Sequence, residues 1–365
     1  MWPNKKFLEL VGVDLPIIQA PMAGANGSAM VIEVCNAGGL GSLPCAMLDV
    51  QKVRAEILAI REQTDKPFNL NFFCHSPASA DSERARNWKH QLEPYYLEFG
   101  LDLAASTPAP SREPFGEEMC ELVEEMRPEV VSFHFGLPDG ELLDRVKAAG
   151  CKVLSSATIV EEARWLENRG CDAIIAQGNE AGGHRAMFLT DEIASQPGTL
   201  ALVPQIADAV SIPVIATGGI ADGRGIAAAF ALGASAVQIG TAYLFTPESL
   251  ITDLHRSALK SDTNDQTMLT NVFSGRPARG LVNRVMREVG PISNHTPAFP
   301  TAGGALAPLK VKAESTNSAD FSSLWSGQSA KLCAELSSSA LTRKLAEDSL
   351  KILKRLGPRF RAPSS

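Results

Sequence analysis

Short apolar runs recur along the chain, and segments with helical spacing separate them. The runs are residues 16–20 (PIIQA), 40–43 (LGSL), 68–73 (FNLNFF), 130–135 (VVSFHF), 152–156 (KVLSS), 173–177 (AIIAQ), 213–217 (PVIAT) and 236–239 (AVQI). Most are apolar at successive positions, as strands buried on both faces of a parallel sheet must be. Helical patterns fall at 30–36, 50–63, 142–149, 159–168, 198–209 and 223–232. Gly38, Gly150, Gly170 and Gly233 follow four such patterns at the position where a helix turns into the left-handed conformation. Eight β–α units in series predict an α/β fold, a (β/α)8 TIM barrel with a smaller inserted substrate or lid domain. An open doubly wound sheet is the alternative.

Two stretches break the period. Residues 76–127 separate the third and fourth runs by more than one helix needs, and contain Trp88, Tyr95, Tyr96 and a Pro/Ser-rich patch at 106–114. The second stretch follows residue 245 and carries His255, the segment SGRPARGLVNRVMRE (274–288) and a Pro/Gly/Ala-rich loop at 297–308. The expected division is a barrel of 1–75 and 128–245, a lid of 76–127 and 246–322, and C-terminal helices of 323–365 returning to the barrel, with the last one at 338–356.

Strand carboxyl ends point into the site of such a barrel. Here they carry amides and glycines and few carboxylates: Gln19 and Met22, Asn69 and Asn71, His134, Gln177 with Gly182, Gly183 and His184, then Gly218, Gly219, Gln238, Ile239, Gly240 and Thr241. Glycines at the ends of the last two strands, Gly218-Gly219 and Gly240-Thr241, let backbone N–H groups approach a phosphate. Side-chain amides can donate and accept along a heterocycle. The set suits a phosphate-bearing cofactor with a histidine nearby, and lacks metal-ligand spacing or a lysine placed for a Schiff base. Taken singly, Asn71, His75 and His134 read as hydrogen-bonded core residues. His184 reads as functional, because its glycine-rich loop offers a structural histidine little to pack against. Arg169 and Arg224 read as surface residues.

The 34 basic and 41 acidic residues give a net charge of −7, which argues against a general nucleic-acid role; the basic stretch 351–361 reads as a solvated helix end and tail. Seven cysteines without a C-x-x-C pair indicate reduced thiols rather than a disulfide framework or zinc site. Cys151 and Cys171 sit at strand starts, the wrong end of a barrel for a nucleophile. No signal peptide and no run of membrane-spanning length is read, so a cytoplasmic protein, monomeric or homodimeric, is expected.

Several segments together resemble the nitronate monooxygenases (2-nitropropane dioxygenases) of class I: QAPM (19–22), NAGGLGSL (36–43), PFNLNFFCH (67–75), SFHFG (132–136), AQGNEAGGHR (176–185), ATGGIADGRG (216–225), QIGT (238–241) and SLWSGQSA (323–330). The resemblance implies FMN held by Met22, Asn71, Gln177, Gly182, Gly183, Gly218, Gly219 and Gln238 through Thr241, with the phosphate at Gly219, Gly240 and Thr241. It implies His184 as the catalytic histidine and His134 on the substrate side. The implied reaction oxidises an alkyl nitronate with O2 to a carbonyl compound and nitrite. Members of the family place tyrosines and a lysine of the late insertion near substrate, whereas residues 297–312 here hold Lys310 and Lys312 and no tyrosine. Other expectations from the same motifs are an FMN-dependent NAD(P)H-using enoyl reductase, a nucleotide-acting barrel of the inosinate dehydrogenase kind and a non-catalytic flavin binder.

Overall fold

The computed structural model describes residues 1–77, 82–104 and 112–356. Eleven strands occur among them: β1 (Ile17–Gln19), β2 (Gly41–Pro44), β3 (Phe68–Phe73), β4 (Val130–His134), β5 (Lys152–Ala157), β6 (Ala173–Gln177), β7 (Gly183–His184), β8 (Val214–Thr217), β9 (Ala236–Ile239), β10 (Thr267–Thr270) and β11 (Ala278–Leu281). Eight of them form one parallel sheet in the order β1-β9-β8-β6-β5-β4-β3-β2. Leu40 joins the two edges: its N–H donates to the Ile17 carbonyl (2.9 Å), and its carbonyl accepts from the Gln19 N–H (3.0 Å). The sheet therefore closes into a TIM barrel, and the open-sheet alternative falls.

Each of the eight apolar runs holds one of these strands. They are buried on both faces, with helices outside and packed side chains within. Gly38, Gly150, Gly170 and Gly233 all have positive φ, as helix termination requires. Polar residues inside the barrel bond to one another. Asn69 Nδ2 donates to the hydroxyls of Ser42 (3.0 Å) and Ser132 (2.9 Å), and Asn71 Nδ2 to that of Ser132 (2.9 Å). The helix Ser338–Leu356 packs on the helices Gly223–Ala231 and Ser28–Asn36.

A second apolar cluster lies outside the barrel. It joins Trp88, Leu92, Tyr95 and Tyr96 of the helix Ser82–Glu98 to Val272, Val285, Met286, Leu306, Leu309 and Phe321. Trp88 Nε1 donates to the Ala302 carbonyl (3.0 Å) and the Tyr96 hydroxyl to that of Ala305 (2.7 Å). Part of the stretch read as a Pro/Gly/Ala loop is helix instead, Gly303–Glu314 with Pro308 inside it. Burial of Leu306, Leu309 and Ala313 outweighs the cost of the proline. The Pro/Ser-rich patch falls partly, and the basic tail beyond residue 356 wholly, outside the described residues. The described cysteines are all unpaired, and no described helix is long and apolar enough to cross a membrane.

β2 runs directly beneath the helix Ser28–Asn36. A Cβ on Gly41 would stand 2.5 Å from the Val31 carbonyl oxygen and 2.8 Å from its Cα. Gly41→Ala should therefore destabilise the fold by about 1–3 kcal/mol. A lower urea midpoint at unchanged slope is the expected result, and a wild-type midpoint would show that helix and strand can separate freely.

Candidate functional site

A cavity of about 500 Å³ opens at the carboxyl end of the barrel. Met22, Asn71, His134, Gln177, Gly182, Gly183, His184, Gly218, Gly219, Gln238, Gly240 and Thr241 all line it, joined by Arg112, His255, Trp325, Gly327 and Ser329. Of the residues singled out from sequence, Gln19 and Asn69 lie buried inside the barrel, bonded to Ser42 and, for Asn69, Ser132, and Ile239 also stands apart. Its side chain is buried in the main core, because alternate strand residues face opposite sides of the sheet.

The segment after β6 folds back toward the cavity. Gln177 holds it at two points: Nε2 donates to the His184 carbonyl (3.0 Å) and Oε1 accepts from the Ala186 N–H (2.9 Å). The same carbonyl is the partner of His134 Nε2 (3.2 Å). A carbonyl can only accept, so His134 carries its proton on Nε2. Gly183 and His184 then pair antiparallel with Arg279 and Ala278 of β11. Arg185 is fully buried beneath, donating to the carbonyls of Gln177 and Gly178 (both 2.7 Å) and to Gln196 Oε1 (2.5 Å). Gly182 is required by close approach, since a Cβ there would lie 2.5 Å from the Gly327 nitrogen.

His184 is surrounded more fully than its glycine neighbours suggest, which corrects the expectation from sequence. Its ring lies 5.4 Å from that of Phe299, 5.5 Å from Trp325, 6.1 Å from Phe135 and 6.4 Å from Phe73. These rings come from four distant segments. His184 Nε2 meets the Ser274 hydroxyl at 2.9 Å, and that hydroxyl also has the Arg276 carbonyl as an acceptor at 3.2 Å. Desolvation, and next the positive charge of Arg112, hold His184 well below the usual imidazole range. Desolvation lowers His134 to about 3 and His75 to about 4. All three rings are neutral near pH 7. His75 is buried against Phe299 (4.7 Å), and its Nδ1 has no hydrogen-bond partner.

The opposite end of the cavity is built from backbone. Gly218 and Gly219 have φ of +112° and +70°, a conformation suited to glycine that leaves no Cβ over the loop. Ser329 Oγ donates to the Gly219 carbonyl (2.8 Å), and the Gly327 N–H to Thr241 Oγ1 (2.9 Å). Gln238 lines the stretch between the two ends, and its Oε1 is buried without a partner.

The nitronate monooxygenase family model matches residues 4–348. The chain belongs to that family. It is 44% identical to a nitronate monooxygenase of Pseudomonas aeruginosa over 94% of this chain and 98% of that one. Among solved structures, nitroalkane oxidase from Streptomyces ansochromogenes superposes with a TM-score of 0.87 at 37% identity, over 96% of this chain and 99% of that one. FabK from Thermotoga maritima gives a TM-score of 0.74 at 26% identity, over 99% of this chain and all of that one. Membership makes this protein an oxidoreductase whose general chemistry is nitronate oxidation.

For a nitronate monooxygenase, several of the residues nearest His184 escaped the sequence reading. Ser274 and Arg276 lie in the SGRPARG segment, but nothing in their spacing points at residue 184. Phe299 and Arg112 have no local signal at all. Lys310 and Lys312 are both exposed; Lys310 borders the cavity, 3.9 Å from Glu314, and Lys312 does not line it. Arg169 and Arg224 are exposed, as expected.

The depressed histidines make stability depend on pH. Free imidazoles titrate near 6.5, so below that pH the unfolded chain takes up protons that the native state refuses. The full contribution is present above about pH 6.5 and is lost as pH falls toward the folded values. Each such histidine adds up to about 1.4 kcal/mol per pH unit to the slope. His75→Phe should give a shallower decline of unfolding free energy between pH 6 and 4.5 than wild type; parallel curves would mean that His75 takes up its proton in the native state.

Proposed function

We propose that this enzyme oxidises alkyl nitronates such as propionate 3-nitronate with O2, giving a carbonyl compound and nitrite, with FMN held in the cavity. The observation that carries the reading is the cavity's polarity along its length. Glycine backbone stands at one end, an unpartnered amide oxygen in the middle and a neutral histidine ringed by aromatics at the other. Backbone at Gly218, Gly219, Gly240 and Thr241 fits a phosphate. Gln238 Oε1, buried and lacking a donor, fits an imide N–H of the flavin ring. Met22, Asn71, Gln177, Gly182 and Gly183 line the remaining walls. When bound, FMN would supply the electron acceptor that the side chains lack and the route of those electrons to O2.

The protein's own part is to bind the anion, exclude water and manage one proton. A nitronate is already deprotonated, so a neutral imidazole suffices to hold it. The Ser274 hydroxyl proton, given to the Arg276 carbonyl, leaves Oγ to accept from His184 Nε2–H. Nδ1 is then the basic atom, available for the proton of a neutral nitroalkane. His134 holds the backbone of that residue and so acts as a positioning residue. The second layer around Trp88 and Phe321 acts as the substrate-side cover of the barrel.

Purified, FMN-loaded protein should consume O2 and release nitrite on addition of propionate 3-nitronate without NAD(P)H. His184→Asn should retain FMN, lose most nitronate turnover and lose about 10²–10⁴-fold in rate with neutral nitroalkane. No uptake by loaded wild-type protein, with rapid NAD(P)H oxidation instead, would replace this reading by a reductase; unchanged turnover in the variant would remove His184 from the chemistry.

A further inference from the structure

The chain at Trp325 continues the line of β7 along β11. Gly280 of β11 is bridged antiparallel to Trp325, two residues on from Ala278, which pairs with His184. Residues two apart on a strand share a face, and paired residues lie opposite one another, so the side chains of His184 and Trp325 project on the same side of the sheet. Gly280 puts no side chain between them. A Cβ there would stand 3.1 Å from Trp325 Cε3, so the indole occupies the space that a larger residue would take. Its ring lies 5.5 Å from that of His184 and 5.6 Å from that of Phe273.

The hydrogen bonds of this bridge come from the neighbours of Trp325. The Leu281 N–H donates to the Leu324 carbonyl (2.8 Å), and the Ser326 N–H to the Arg279 carbonyl (3.3 Å). The Trp325 carbonyl therefore points away from β11, as at any non-hydrogen-bonded position of an antiparallel pair. His255 meets it there, with Nε2 3.1 Å from the oxygen. A carbonyl can only accept, so His255 carries its proton on Nε2. The histidine belongs to the helix Asp253–Leu259 and is buried, and both His255 and Trp325 line the cavity. Burial lowers the His255 imidazole to about 4, so it is a neutral donor at pH 7. Without this bond the carbonyl would turn toward water, and the segment would be fixed at one edge instead of two.

We propose that His255 is a positioning residue: by holding the Trp325 carbonyl it keeps the indole against His184, so that this imidazole stays shielded from water and fixed in place while it holds substrate or takes its proton. The assignment rests on His184 acting at this cavity, and its first readout needs no turnover. His255→Asn and His255→Leu both lose the bond, because an asparagine amide falls short of the carbonyl; His255→Gln places an amide N–H where Nε2 stood. On FMN-loaded protein with isotope-labelled histidines, NMR should find His184 neutral at about pH 6 in wild type and in His255→Gln. In His255→Asn and His255→Leu its titration midpoint should rise by roughly one unit or more as water reaches the ring. Arg112, His134, Arg276 and His75 also act on His184 and are unchanged in every variant. In turnover, His255→Asn should lose roughly tenfold or more in kcat/KM with a neutral nitroalkane relative to its nitronate, since proton removal depends on ring placement more than holding an anion does. His255→Gln should recover most of that loss. Trp325→Ala should show the same loss, and adding His255→Asn to it should cost little more.

An unmoved His184 titration in both variants that lose the bond would overturn the proposal. Equal losses in His255→Gln and His255→Asn, or fully additive losses in the double variant, would overturn it as well, because His255 would then act by some route other than Trp325. A shifted titration in a protein that oxidises no nitronate would support the placement and overturn only the activity. FMN content and thermal midpoint of each variant establish that the fold is intact.

Discussion

One carbonyl oxygen organises the site. The backbone C=O of His184 accepts from Gln177 Nε2 and from His134 Nε2 at once, and it thereby ties the loop after β6 to two strands of the barrel. A loop this rich in glycine has a large entropy to lose, and no regular element of its own to offset that loss. The compensation comes from outside: the two donors, the pairing of β7 with β11, and Arg185 filling the space below with three hydrogen bonds. The imidazole of residue 184 is therefore placed by its backbone, and its direction is set by Ser274. That division explains why a barrel strand, a late insertion and the C-terminal stretch at Trp325 all converge on one residue.

The electrostatics follow from the same convergence. Aromatic rings from four segments expel water around His184, and the histidines respond by losing their charge. Arginine cannot respond in that way, because its intrinsic affinity for a proton is too high. Arg112 and Arg276 stay charged in the surroundings that neutralise His75, His134 and His184. The pocket separates its cations into two kinds, imidazoles that can accept a proton and guanidiniums that can only attract an anion. A negatively charged substrate meets both; among the described residues no carboxylate is ion-paired with either guanidinium, and Asp191 and Glu162 act on Arg276 only from a distance.

The barrel was legible because its information is local. Eight apolar runs, and four glycines at helix ends with positive φ, can be read without knowing what they touch. The glycine-built end of the cavity was legible for a related reason, since a strand that stops at Gly218–Gly219 or Gly240 advertises a backbone site. The other end was not. Ser274 meets His184 across 90 positions of chain, and Phe299 lies farther still. Their meeting depends on the hairpin β10–β11 and on a helix at Gly303–Glu314 whose Pro308 argues locally against helix. Tertiary burial of Leu306 and Leu309 decides that segment, and only a folded chain contains that information.

The absence of tyrosine from residues 297–312 can now be given a physical consequence. The aromatic residue of that stretch at the cavity end is Phe299, which offers a ring face and no hydroxyl. It packs against His75, His184, Phe73 and Phe135, and it carries Arg112 and Arg276 over its ring. A phenol would have donated a neutral hydrogen bond to a substrate oxygen. Phenylalanine instead provides an apolar ring face beside which both guanidiniums lie, and the attraction a guanidinium exerts on an anion is longer in range and blind to donor geometry.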